Sequence, residues 1–150
     1  MKLYLDVCCL NRPFDDQTQD RIHLEAESIL LILKYIRSKK WEWFSSEVVE
    51  YEVRQTSDAE RRRRLEMLLS HADHKIIIEE AVISRAATLG KIGFDPYDAL
   101  HLACAENSGV DVFLTTDDKL LRLANRVGSQ LVTPVKNPLT WLMEVRSYGN

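Results

Sequence analysis

Lys2-Leu3-Tyr4-Leu5-Asp6-Val7 decides how the chain folds: it is a short apolar strand with a carboxylate at its end. A run of this kind suits a strand covered on both faces, as in a parallel sheet flanked by helices. Val110 to Thr115 repeats the pattern and is followed by Asp117. In open parallel sheets, ligands bind beyond the carboxyl ends of the strands, where both acids fall.

Working outward, Asp20 to Lys39 carries Ile22, Ala26, Ile29, Leu33 and Ile36 at helical spacing. Trp41 to Ser45 is a second strand, and Ser45 or Ser46 can cap the helix bearing Glu52. Ala59 to Leu69 reads as a charged helix, Lys75 to Ile78 as an extended piece, and Glu79 to Leu89 as a helix stopped near Gly90 and Gly93. A nearly all-apolar helix follows from Asp95 to Glu106, then the strand ending at Thr115, a helix from Asp117 to Arg126, a strand at Leu131 to Thr133 and a last helix after Pro138. This alternation predicts an α/β three-layer sandwich with a central, mainly parallel sheet flanked by helices, in one domain over residues 1–150.

The composition narrows the function classes. With 150 residues, 45% apolar, the chain fills one ordinary core, and no apolar run reaches membrane-span length. The expectation is a cytoplasmic protein without a membrane partner. Cys8 and Cys9 are adjacent and Cys104 is far away, so neither a zinc spacing nor a disulfide framework is expected. A formal net charge of −3 gives no global basic signature for nucleic acid, but divalent ions at an acidic site would reverse its local sign toward phosphate.

Four acids stand on apolar surfaces: Asp6, Glu52, Asp98 and Asp117. At about 100° per residue, Glu52 shares an arc with Val48, Val49 and Val53, whereas Glu47 and Glu50 fall on the opposite, solvated side. Asp95 and Pro96 suit a helix start, with Asp98 as a capping partner, yet Asp98 also shares a face with Leu102 and Ala105. Asp117 and Asp118 both suit a helix first turn, which either Thr115 or Thr116 could cap. Gathering several carboxylates in a fold's interior calls for a compensating cation, and all-oxygen donors favour Mg²⁺ or Mn²⁺.

Taken in order, strand-end Asp6, the segment Ser46-Glu47-Val48-Val49-Glu50-Tyr51-Glu52-Val53, Asp98-Ala99-Leu100-His101-Leu102-Ala103 and Leu114-Thr115-Thr116-Asp117 resemble a PIN domain over nearly the whole chain. The length is similar to that of the ribonuclease toxins (VapC-like) of toxin–antitoxin modules. The resemblance implies an endoribonuclease that hydrolyses RNA with Mg²⁺ or Mn²⁺ held by Asp6, Glu52, Asp98 and Asp117, leaving a 5′-phosphate and a 3′-hydroxyl. It implies Thr115 as a supporting hydroxyl, Asp118 as a rival to Asp117, a homodimer, and a cognate antitoxin that inserts an arginine into the acidic groove. Many such domains have a small hydroxyl residue after the first aspartate; here Val7-Cys8-Cys9 stands there, which brings Asn11 into consideration for the missing hydrogen bond.

Two other readings compete. An aspartyl-phosphate phosphotransfer protein would want a second aspartate two residues after Asp6, where Cys8 stands. A non-catalytic RNA- or protein-binding module could keep the acids for one structural ion. Of the remaining features, Arg61 to Arg64 read as a solvated helix with Glu60 and Glu66 nearby, His71 and His74 lack a third ligand, and His101 sits one turn from Asp98 as a support for the acids. Trp41, Trp43 and Trp141 are expected in the core or an interface.

Overall fold

A computed structural model of the chain describes residues 1–147. Five strands, β1 (Lys2–Leu5), β2 (Glu42–Ser46), β3 (His74–Ile76), β4 (Val112–Leu114) and β5 (Val135–Lys136), form one sheet in the order β3-β2-β1-β4-β5, with every neighbouring pair parallel. The helices are α1 (Val7–Asn11), α2 (Asp20–Arg37), α3 (Glu47–Arg54), α4 (Ala59–Leu69), α5 (Glu80–Ile92), α6 (Pro96–Ser108), α7 (Asp118–Val127) and α8 (Pro138–Ser147). They flank the sheet as a three-layer sandwich, with α2 against α8 in one layer and α5 against α6 in the other. None of the described helices is long and apolar enough to cross a membrane.

The chain winds outward from β1 to β3, then returns to lay β4 on the other side of β1. The resulting switch point between β1 and β4 brings Asp6 and the segment Thr115 to Asp117 together at the carboxyl edge. Leu3, Tyr4, Leu5, Phe113 and Leu114 are fully buried in the centre, as are Ile29, Ile32, Val49 and Leu102 from the helices. All three tryptophans are core residues, and the Trp41 and Trp141 rings meet edge-on at 5.0 Å. Ser46 caps α3 by accepting from the Val49 N–H at 3.2 Å, and α6 ends at Gly109 in the left-handed region, φ 70°.

Several local expectations need correction. Val7 starts α1 instead of ending the strand, because Asp6 takes the extended cap position and accepts the Val7 N–H. Leu131 to Thr133 is not a strand: a short 3₁₀ turn at Gly128–Gln130 precedes it, Val132 is 74% exposed, and pairing with β4 begins only at Val135. Neither threonine caps α7. Asp117 does so itself, through the N–H groups of Lys119 and Leu120. Asp95 holds the backbone cap position of α6, yet its carboxylate makes no cap hydrogen bond and instead meets Lys119 at 3.3 Å.

Candidate active site

Asp6 ends the central strand and is nearly buried, with its oxygens divided between two tasks. Oδ1 accepts the Val7 N–H at 2.8 Å, and Oδ2 accepts the Thr115 hydroxyl at 2.8 Å. Thr115 is fully buried and its Oγ1 also accepts the Asp117 N–H at 3.1 Å, so one side chain ties the ends of β1 and β4 together. Val7, directly after Asp6, offers no side-chain hydrogen bond, and the Cys8 thiol beside it donates to Asp6 Oδ2 at 3.4 Å and accepts the Thr116 N–H at 3.3 Å. Asn11 is occupied elsewhere, between the Val7 carbonyl and the Arg61 guanidinium.

Glu52 lies on the inner side of α3 beside the buried Val48, Val49 and Val53. Its Oε1 is hydrogen-bonded to His101 Nε2, and the same nitrogen lies 3.9 Å from Asp6 Oδ1. On the other side of the buried ring, Nδ1 pairs with the Tyr4 hydroxyl at 2.7 Å, and that hydroxyl also meets Ser46 Oγ at 2.7 Å. A continuous polar chain therefore runs from the α3 cap through β1 and α6 to Glu52, with each buried group partnered. Burial disfavours a charged His101, but the Glu52 hydrogen bond and the charges of Asp6, Glu52 and Asp98 outweigh it and raise its pKa. Burial pushes the Tyr4 hydroxyl well above its ordinary range, so it remains a proton donor.

Asp98 is half-buried one turn before His101, and its pKa is raised to about 6. Burial is the main cause, followed by the charges of Asp6 and Asp117. Asp6 and Asp117 are thus near enough to Asp98 to disfavour its charged form. Asp118 stands apart: Arg21 grips it with two nitrogens at 2.6 and 2.7 Å, which lowers its pKa. Asp117 is more exposed but faces Asp98 electrostatically.

Other sequence expectations divide. Glu50 is near Arg54 at 4.0 Å and Lys75 at 3.6 Å, but Glu47 is not simply solvated, since it accepts the Ile78 N–H at 2.6 Å. Arg63 and Arg64 do pair with Glu60. Arg61 does not point to solvent, because it holds Asn11, Asp15 and the Phe14 carbonyl. His74 stacks on Phe44 and bonds Glu42, away from His71.

The sequence reading missed Glu25. Its side chain is 1% exposed and accepts from Arg12 Nε at 2.7 Å, Arg21 Nε at 3.1 Å and Asn137 Nδ2 at 2.6 Å. Through Arg21 it is connected to Asp118, at the rim of the site. A signal was available, since Glu25 falls three residues after Ile22 and four before Ile29, on the apolar face of α2.

Among the described residues, no three His, Cys, Asp or Glu groups are drawn close enough to complete a coordination shell. The donor chemistry nevertheless fits a hard divalent cation: three carboxylates share a repulsive field, and Glu52 borders it through His101.

The chain belongs to the PIN domain family, whose family model matches residues 3–126. None of the curated proteins compared matches it. Among solved structures, FitAcB from Neisseria gonorrhoeae is similar at a TM-score of 0.58 and 18% identity, covering 91% of this chain and 97% of that one. VapBC2 from Rickettsia felis, solved bound to a DNA fragment from its promoter, gives 0.58 and 17% over 91% and 98%. PAE2754 from Pyrobaculum aerophilum gives 0.56 and 18% over 98% and 90%.

Proposed function

We propose that the chain is a divalent-ion-dependent endoribonuclease, the toxin of a toxin–antitoxin pair, in which Asp6, Glu52, Asp98 and Asp117 hold Mg²⁺ or Mn²⁺. The observation that carries this reading is the geometry of the carboxyl edge, where Thr115 holds both Asp6 and the backbone of Asp117 and His101 Nε2 lies against Glu52 and Asp6; the raised pKa of Asp98, caused first by burial and then by Asp6 and Asp117, agrees with it. Carboxylates that repel one another at the switch point of a parallel sheet are donors suited to a divalent cation. When bound, such an ion supplies acidity to water and neutralises charge on a phosphodiester.

The chain's own residues set the geometry. Thr115 and the Cys8 thiol hold one oxygen of Asp6, and Thr115 also fixes the backbone of Asp117. His101, steadied by Tyr4, fixes the orientation of Glu52. These are positioning roles. The clamp from Arg21 on Asp118 supports Asp117 over Asp118 as the fourth acid.

Incubating the purified protein with unstructured RNA tests the reading. Cleavage is expected with Mn²⁺, none with EDTA, and the products should carry 5′-phosphate and 3′-hydroxyl ends. Absence of cleavage with intact Mn²⁺ binding would favour a non-catalytic binding module instead.

Two substitutions probe the supports. Glu52→Gln should weaken Mn²⁺ binding by about tenfold or more, whereas Glu50→Gln, whose carboxylate faces Arg54 and Lys75, should leave it unchanged in a calorimetric titration. Tyr4→Phe removes a hydroxyl shared by His101 and Ser46, so it should cost about 1–2 kcal/mol in denaturant unfolding. The same variant should weaken Mn²⁺ binding, a loss that a purely structural hydroxyl would not cause.

The reading extends to partners. A cognate antitoxin is expected to place an arginine against the carboxylates, so that added Mn²⁺ competes with inhibition. A homodimer is also expected, and exposed apolar residues such as Ile77 and Ile83 offer a surface for the second copy. Sedimentation of the isolated protein tests it.

A further inference from the structure

Most arginines of this chain are already committed. Arg12, Arg21, Arg61, Arg62, Arg63, Arg64 and Arg85 each hold a carboxylate or a carbonyl, so the four-arginine run of α4 is largely neutralised by its own neighbours. Helix α7 differs. Lys119, Arg122 and Arg126 are exposed on it, and neither Arg122, whose charge acts on Asp118 only from a distance, nor Arg126 makes an ion pair within 4.0 Å among the described residues.

At about 100° per residue, these three positions fall within an arc of about 60°. The opposite face carries the buried Leu120 and Ala124 against the body of the protein. The only other charge on the helix, Asp118, is neutralised by Arg21. The cationic arc begins at the site, because Asp117 caps α7 and Lys119 reaches Asp95 at the start of α6, three residues from Asp98. With a rise of about 1.5 Å per residue, Arg122 and Arg126 are about 6 Å apart along the axis, enough to meet neighbouring backbone phosphates, with Lys119 beside them held by Asp95.

We infer that the outer face of α7 is the track that binds the phosphates of the RNA strand next to the bond being cut. The inference rests on the ribonuclease reading and adds to it the surface on which the substrate lies. It also answers an electrostatic difficulty: a chain of net charge −3 with an acidic site needs a local cationic surface to attract a polyanion.

Salt dependence tests the inference, since each phosphate contact on a single strand contributes about 0.7 to the slope of log K against log[salt]. Binding of a fluorescent unstructured RNA is measured in stepped KCl without divalent ion, with Asp98→Asn as the background that prevents cleavage. Adding Arg122→Gln and Arg126→Gln should lower the slope by about 1.4. Adding Lys34→Gln and Arg37→Gln, an equal charge change on exposed positions near the far end of α2, should leave it unchanged.

Equal slopes for all three proteins, with RNA still bound, would overturn the track and leave the ribonuclease reading standing. Unchanged RNA slopes together with lost binding of an acidic peptide would overturn it in favour of a protein-docking face. No RNA binding by the parent, combined with no cleavage by the unsubstituted protein, would overturn both.

Discussion

Asp98→Asn is expected to abolish RNA cleavage while raising the melting temperature of the ion-free protein at pH 7 by about 2–6 °C. Asp98 titrates at about 6 in the fold against an ordinary value of 3.8, so its charged form is disfavoured by folding. At about 1.36 kcal/mol per pK unit the upper bound is about 3 kcal/mol. The side chain is only half-buried, and solvent screening reduces this to about 1–1.5 kcal/mol. A domain of this size shifts by about 2–4 °C per kcal/mol.

The sign follows from proton uptake. Between about pH 4 and pH 6 the folded state binds the proton that the unfolded state has released, so this group's penalty is full above pH 6 and fades as pH falls toward 4. The gain from asparagine should therefore be present in melts at pH 7, smaller at pH 4.5 and nearly gone at about pH 3. A variant that melts lower than the parent at pH 7 would make Asp98 a structural residue.

The second large effect lies outside the carboxylate cluster. Glu25→Ala is expected to destabilise the fold by about 3 kcal/mol, a fall of about 6–12 °C in the melting temperature. The carboxylate is almost fully buried and serves Arg12, Arg21 and Asn137 together, so its removal leaves the Nε of Arg12, whose other end still holds Asp15, and the Asn137 amide without their partner. The half-exposed Arg21 keeps the estimate at the low end of the range for broken buried pairs. Arg21 also loses a restraint while gripping Asp118, so the rim of the site should loosen. A change below about 1 kcal/mol in denaturant unfolding would show that water satisfies these groups.

The features legible in the sequence were those with a period. The apolar runs of β1 and β4 placed Asp6 and Asp117 at strand ends, and the helical phase of α3 separated Glu52 from Glu47 and Glu50. Phase alone did not reveal that Glu47 accepts a backbone N–H from Ile78, a contact 31 residues away. The union of Tyr4 and His101 was likewise hidden, because it joins β1 to α6 across 97 positions. β5 was misplaced for a different reason: it is only two half-buried residues long, so neither alternation nor a continuous apolar run marks it. Glu25 was legible in phase and shows that an acid on an apolar helix face can mark a buried ion pair as well as a metal ligand.

The most direct test of the central claim is a titration of the protein with Mn²⁺, following the free ion by its paramagnetic resonance signal. Saturable binding by the unsubstituted chain is expected, with its loss in Asp6→Asn and Asp98→Asn and a weakening of about tenfold or more in Glu52→Gln, all in variants that still melt cooperatively. Binding that survives in all three folded variants, or no saturable binding by the unsubstituted chain, would contradict a metal site built from these carboxylates.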